Sequence, residues 1–264
     1  MQYLNTSTLE MQPMNCKRMW IRKENLDILL VPAGLIIMFG YHLFLLYRIL
    51  TAPHTTVIGY ENHNKMAWVE RMMLADPNNM GLALQVISSN ESAATFLASI
   101  SITLSSLIGT WFGSSSNNLL INKLIYGDTS PPTTSLKYIT LLAFFLIAFA
   151  SFVQSARYFV HANFLISTPN TDMPVKYVQL AVIRGSNFSL LGLRALYFAT
   201  TLLLWIFGPI PMVVSSVAMV IILNFLDNNS IPLHPYRVPM GQNLVKRISE
   251  EGIAADRATV HHGG

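Results

Sequence analysis

The amino-acid sequence predicts an all-α, polytopic membrane protein with four transmembrane helices and an interfacial helix in the first loop. Three observations carry that expectation. Charged residues make up 11% of the chain and hydrophobic ones 52%, roughly half the charged share of a soluble domain, and the mean hydropathy is positive at +0.43. Four apolar runs reach the length of about 20 residues that crosses a hydrocarbon core. The last of them, residues 195–225, carries no charge at all. The organisation therefore reads as a polar segment over 1–25, one membrane domain over 26–226 with spans at 26–50, 93–112, 136–156 and 195–225, and a flexible tail over 227–264.

In the first run only Asp27, His42 and Arg48 interrupt the apolar residues. Asp27 stands where a helix N-terminus favours an anion. The run is too long for the core of a cleaved signal, so it reads as a retained signal anchor. His42 shares a stripe with Leu35, Met38 and Leu45, and is expected to point into the bundle and hydrogen-bond a neighbouring helix. A proton relay is the other use of an ionisable group at that depth. Arg48 can snorkel from the helix end, Pro53 stops the helix, and PHTTVIG turns the chain back toward the surface. NKMAWVERMML, residues 64–74, then places Met66, Val69 and Met73 at helical spacing, with Trp68 and Met72 on the flank and Lys65, Glu70 and Arg71 on the wetter side. This is the pattern of an interfacial helix, and a partner-binding helix would look the same.

The second span holds a stripe of small residues four apart, Ser101, Ser105, Gly109 and Gly113, beside a hydroxyl stripe of Thr95, Ser99, Thr103, Ser106 and Thr110. Small residues let helix backbones approach closely. The stripe thus serves packing within one subunit or contact between subunits, and a hydroxyl-lined pore is the remaining reading. In the third span Gln154 and Arg157 form a polar spot near the helix end, placed to reach headgroups. The fourth run would be about 46 Å long as one helix, well beyond a hydrocarbon core. Gly208, Pro209 and Pro211 interrupt it, so one kinked span is expected, with a re-entrant hairpin as the alternative.

Four spans put both termini on one side. Ten Lys and Arg residues fall with the termini and the loop after the second span, against seven elsewhere. That count, with the basic cluster before the first span, predicts cytoplasmic termini. A single cysteine, Cys16, excludes an internal disulfide framework and leaves an unmodified thiol or a palmitoylation site as its readings. Four N-x-S/T sequons, at Asn5, Asn90, Asn187 and Asn228, carry little weight.

Catalytic patterns are not found. The chain has no phosphate-binding Gly-rich loop followed by Lys, no HExxH and no GxSxG. His42, His54 and His63 lack the spacing that would put two on one helical face, so neither a metal, a cofactor nor a nucleic-acid partner is expected.

Several blocks in order, LDILLVPAGLIIMFGYHLFLLYRI, PHTTVIG, AWVERMM, ALQVISSNESAATFLASISITLSSLI, LKYITLLAFFLIAFASFVQSARYF and GLRALYFATTLLLWIFGPIPM, resemble the plant membrane family catalogued as domain of unknown function 599. The resemblance covers about residues 26–226. It implies four spans and brings no catalytic or cofactor residues. It also implies kinship with the stigmatic privacy proteins, self-associating membrane proteins that help stigmas reject pollen of other species. The expected function is accordingly a non-enzymatic plasma-membrane protein acting through self-association and contact with a protein partner. A channel or transporter using His42 is the alternative, and an enzyme built on His42, His54 and His63 comes last.

Overall fold

The computed structural model describes residues 23–74, 80–114, 130–168 and 174–231. Asn5, Cys16, most of the basic cluster ahead of the first span, and the expected mobile tail from residue 232 onward lie outside the described residues. Six α-helices are described: α1 (Lys23–Thr51), α2 (Val57–Leu74), α3 (Met80–Ser114), α4 (Pro131–Ile166), α5 (Val175–Trp205) and α6 (Pro209–Asp227). A 3-10 turn, Pro53–Thr55, joins α1 to α2.

Five of these helices, all but α2, are long and apolar enough to cross a membrane, as expected of an integral membrane protein. The single kinked span over 195–225 is corrected. The chain instead makes two helices that fold back on each other, since Arg194 on α5 pairs with Asp227 at the far end of α6. A kinked continuous helix would hold those residues about 50 Å apart. The reason lies in GPIP. Gly208 has φ 149° and ψ 170°, a region open almost only to glycine. Pro209 and Pro211 then occupy the first turn of α6, where backbone amides have no helical partner to lose. Prolines that would kink a helix from inside here begin one. A labelling experiment checks the consequence. With Cys16→Ser as background, single cysteines at Phe207 and Ser230 should react with membrane-impermeant reagents from opposite sides of the bilayer. Reaction from the same side would make α6 re-entrant.

α2, the helix expected at the interface, is also longer than expected and begins at Val57 rather than residue 64. Gly59, read from the sequence as part of a turn, lies inside α2. A Cβ there would fall 2.1 Å from the Pro53 carbonyl oxygen, so its role is to let the corner close. α2 packs on α5 rather than lying apart. Asn62 bonds Asn187, Lys65 bonds Ser186, and Gln179 donates to the Met66 carbonyl, which makes the two helices antiparallel. The first residues of the expected flexible tail are held as well. The Asn229 amide donates to the Thr55 carbonyl at 3.1 Å, and Thr56 and Asn228 form an isolated antiparallel bridge.

Helices α3, α4 and α5 stand side by side in alternating directions, and α1 runs parallel to α6. α6 is about 28 Å long, close to the thickness of a hydrocarbon core, whereas α3 to α5 run to about 46–54 Å. Their far ends continue past Asp227 and, with α2, enclose a core of their own around Val69, Ile87, Phe159, Ala162, Val178 and Val182. At the level of α6, a second core gathers Val31, Ile108, Leu141, Phe145, Leu202, Trp205 and Met212. Lys176, Arg184, Arg157 and Glu91 all fall in the projecting part. Residues 82–90 read from the sequence as a helix running into the second span, and α3 does begin at Met80; the charges on α4 and α5 hid that those two also run on as helices beyond the apolar windows.

Candidate functional site

Where α1, α5 and the end of α6 meet, four polar side chains gather. The Arg194 guanidinium donates to Asp227 Oδ1, and the Tyr41 hydroxyl donates to Oδ2 at 2.7 Å. The two charged side chains are only 12% and 7% exposed, so the pair interacts with little solvent screening. His42 lies alongside. Its ring is 4.9 Å from Phe198 and 5.6 Å from Tyr41. The expectation that it bonds a neighbouring helix is corrected: Nδ1 lies 2.7 Å from the Met38 carbonyl of its own helix. A carbonyl only accepts, so Nδ1 carries the proton, and Nε2 is buried without a hydrogen-bond partner. Just above, Arg48 donates to Asn228 at 2.5 Å and to the Thr55 carbonyl at 3.0 Å.

A second buried pair closes the opposite end of the same layer. Lys137 on α4 lies 3.8 Å from Asp27 on α1, both side chains being 5% exposed, and its ammonium sits 5.5 Å from the Trp205 ring centre. Asp27 therefore has a cationic partner across the bundle besides the helix N-terminus it was read against. The signal was available, as one lysine and one aspartate stand alone in otherwise apolar runs, but nothing in the sequence showed that the two runs meet.

The small-residue stripe of α3 divides. Ser101 and Ser105 are buried within the subunit, on the face whose Ala98 packs with Ala148 and Phe152 of α4. Ser101 returns its hydrogen bond to the Leu97 carbonyl at 2.8 Å. Gly109 faces out, and a Cβ there would meet nothing within 4 Å. Gly113 continues the helix. Of the two uses expected of the stripe, packing within one subunit takes Ser101 and Ser105. The neighbouring hydroxyl stripe is the one that faces outward. Thr95, Ser99, Thr103, Ser106 and Thr110 are all exposed, and four of them bond back to their own helix, at 3.0, 3.0, 2.7 and 2.8 Å. Such back-bonding satisfies the hydroxyls in an apolar medium and leaves a narrow, weakly polar face.

Gln154 and Arg157 are exposed on α4 and do not join either ion pair. His54 is exposed, remote in character from the buried His42. Among the described residues no group of three His, Cys, Asp or Glu side chains is placed to hold a metal.

Neither the curated proteins nor the solved structures include a match to the chain. A family model does match, described as "Protein of unknown function, DUF599", over residues 29–231. That interval takes in α1 from Leu29 onward and the whole of α2 to α6, and the chain belongs to the DUF599 family.

Proposed function

We propose that the protein is a non-enzymatic plasma-membrane component that works by self-association, with the outward face of α3 as the subunit contact. The observation that carries this reading is the outward stripe from Thr95 to Thr110, flanked by Gly109, on a helix that packs on one side only. In lipid, helices gain little from hydrophobic burial, so association depends on close backbone approach and polar contacts, which such a face permits. Gly109→Leu and Ser106→Leu should weaken association about 5- to 100-fold at a given lipid dilution, the equivalent of roughly 1–3 kcal/mol of overpacking. A Cβ at Gly109 meets nothing within 4 Å among the described residues and Ser106 is exposed, so circular dichroism should stay unchanged. Leu107→Ile, on another exposed face, is the control. Subunit counting or lipid-dilution energy transfer in liposomes reads the result, and parental association of both variants would remove α3 as the contact.

The finer reading, a part in cell-surface recognition of the kind served by stigmatic privacy proteins, draws on the sequence resemblance. If all five apolar helices cross, the two ends of the chain emerge on opposite faces, and cytoplasmic placement of both is withdrawn. The segments before α1 and between α3 and α4, with Lys23 and Lys137, then carry six Lys and Arg, and the other side carries eleven. That balance favours a cytoplasmic projecting part. The transporter reading keeps one supporting observation, the buried, unpartnered Nε2 of His42. Solute flux in liposomes that His42→Phe abolishes would establish it.

A further inference from the structure

A half-open pocket of about 150 Å³ lies where the start of α2 meets α5 and the end of α6. Leu190, Leu193 and Leu223 give it apolar walls, and its polar lining comes from Arg194, Asp227 and Glu61. We propose that this pocket seats the hydroxyl end of a sterol-class membrane alcohol, a neutral amphiphile with one hydroxyl on a rigid apolar body. The proposal is independent of self-association, since it uses α5 and α6 and not α3.

Depth is the first argument. The pocket sits at the end of the helix whose length matches the hydrocarbon core, the level at which an amphiphile leaves its polar end. Charge is the second. A phosphate would face two carboxylates, Asp227 and Glu61, and an ammonium would face the Arg194 guanidinium. A hydroxyl both donates and accepts, so it can give its proton to Asp227 and take one from Arg194, both of which line the pocket. Size is the third. The space holds a hydroxyl and the ring that bears it, and the remainder would run down α5 and α6 past Tyr197, which also lines the pocket. The sequence from Arg194 through Tyr197 to Leu202 reads, in reverse, the order of apolar residue, tyrosine and cation proposed for sterol contacts. That pattern is weak alone, but here two of its three members line one cavity.

The test uses the full chain in phosphatidylcholine vesicles with a photoactivatable sterol bearing a free 3-hydroxyl, and maps the labelled peptides by mass spectrometry. Labelling should concentrate on the start of α2, on α5 near Leu190 to Tyr197, and on the end of α6. Unlabelled sterol should compete about tenfold better than its 3-ketone, which accepts but cannot donate to the carboxylate. Val57→Trp, which fills the pocket from its rim without touching the ion pair, should reduce labelling at least fivefold, roughly the share of a site lost for about 1 kcal/mol. Should that variant fail to fold, Leu190→Trp, which fills the pocket from its α5 wall, serves instead and should lower labelling by a like factor; undiminished labelling in a folded variant would overturn the proposal. Labelling spread evenly over the lipid-facing surfaces of α1 and α3 would overturn the proposal. So would equal competition by the ketone, or displacement of the probe by an anionic phospholipid but not by sterol.

Discussion

Gly192→Val will prevent α4 and α5 from closing on each other. A Cβ at Gly192 would come within 2.7 Å of the Phe152 ring, and one at Gly185 within 3.1 Å of the Phe159 ring. Phe152 is fully buried, so its ring has nowhere to retreat. The contact repeats every seven residues. Phe145, Phe152 and Phe159 on α4 face Ala199, Gly192 and Gly185 on α5, the aromatic knob and small hole of an antiparallel helix pair. Between two such layers the Ser155 hydroxyl donates to the Gly185 carbonyl at 2.6 Å, a bond that requires the backbones to lie close. Overpacking this seam should cost about 1–3 kcal/mol, and Phe152→Ala about 3–5 kcal/mol through the cavity it leaves. The double variant should be less damaged than the two losses added, with a coupling of about 0.5–3 kcal/mol. Unfolding in mixed micelles, followed by circular dichroism, measures all four corners of the cycle. Additive losses would mean that the ring and the glycine are not in contact.

Asp227→Ala should destabilise the protein by about 3–5 kcal/mol, because it strands the Arg194 guanidinium among apolar side chains. The effect should be insensitive to salt, since the pair is shielded from the ions that screen exposed charges. Replacing both partners, Arg194→Met with Asp227→Leu, should recover most of the loss. Tyr41→Phe should cost about 1–3 kcal/mol by leaving Asp227 Oδ2 without that donor. The surface pair Lys65–Glu61, 2.9 Å apart with side chains 31% and 50% exposed, supplies the contrast. Its removal should cost about 0–1 kcal/mol and fade in salt. If Asp227→Ala and Glu61→Ala behave alike, Arg194 and Asp227 are solvated and the corner is not closed.

What the sequence could show was set by where apolar residues run without charge. The helical class, the first span, and the segments 93–112 and 136–156 are legible because each is a long apolar window with few or no charges, and those near its ends. α5 is not, since Lys176, Arg184 and Arg194 break its windows although Val178, Ala181, Val182, Gly185 and Gly192 face α4 and the core. The seven-residue spacing of Phe145, Phe152 and Phe159 stood in plain view, but a lone phenylalanine series has no meaning until the glycines opposite are known. GPIP was noticed and misread, because proline's effect reverses between the interior of a helix and its first turn. For the candidate sites, His42 lies on the stripe of α1 that carries buried Met38 and Leu45. Its neighbours Arg194 and Asp227 were missed, as they are separated from it by more than 150 residues and only the fold brings them together.

The reversal at Gly208 also constrains how the chain is made. As α5 leaves the ribosome it presents Arg194 to the membrane before any counter-charge exists, and an arginine that must be buried among apolar side chains without its partner opposes insertion. Asp227 is synthesised 33 residues later. α5 is therefore a poor candidate for release into lipid on its own, and it should wait in the translocation channel until α6 has folded back beside it. The two would then partition together as a hairpin in which Arg194 is already paired with Asp227. A ribosome stalled shortly after Gly208 should leave α5 extractable by carbonate, whereas one stalled well beyond Asp227 should not.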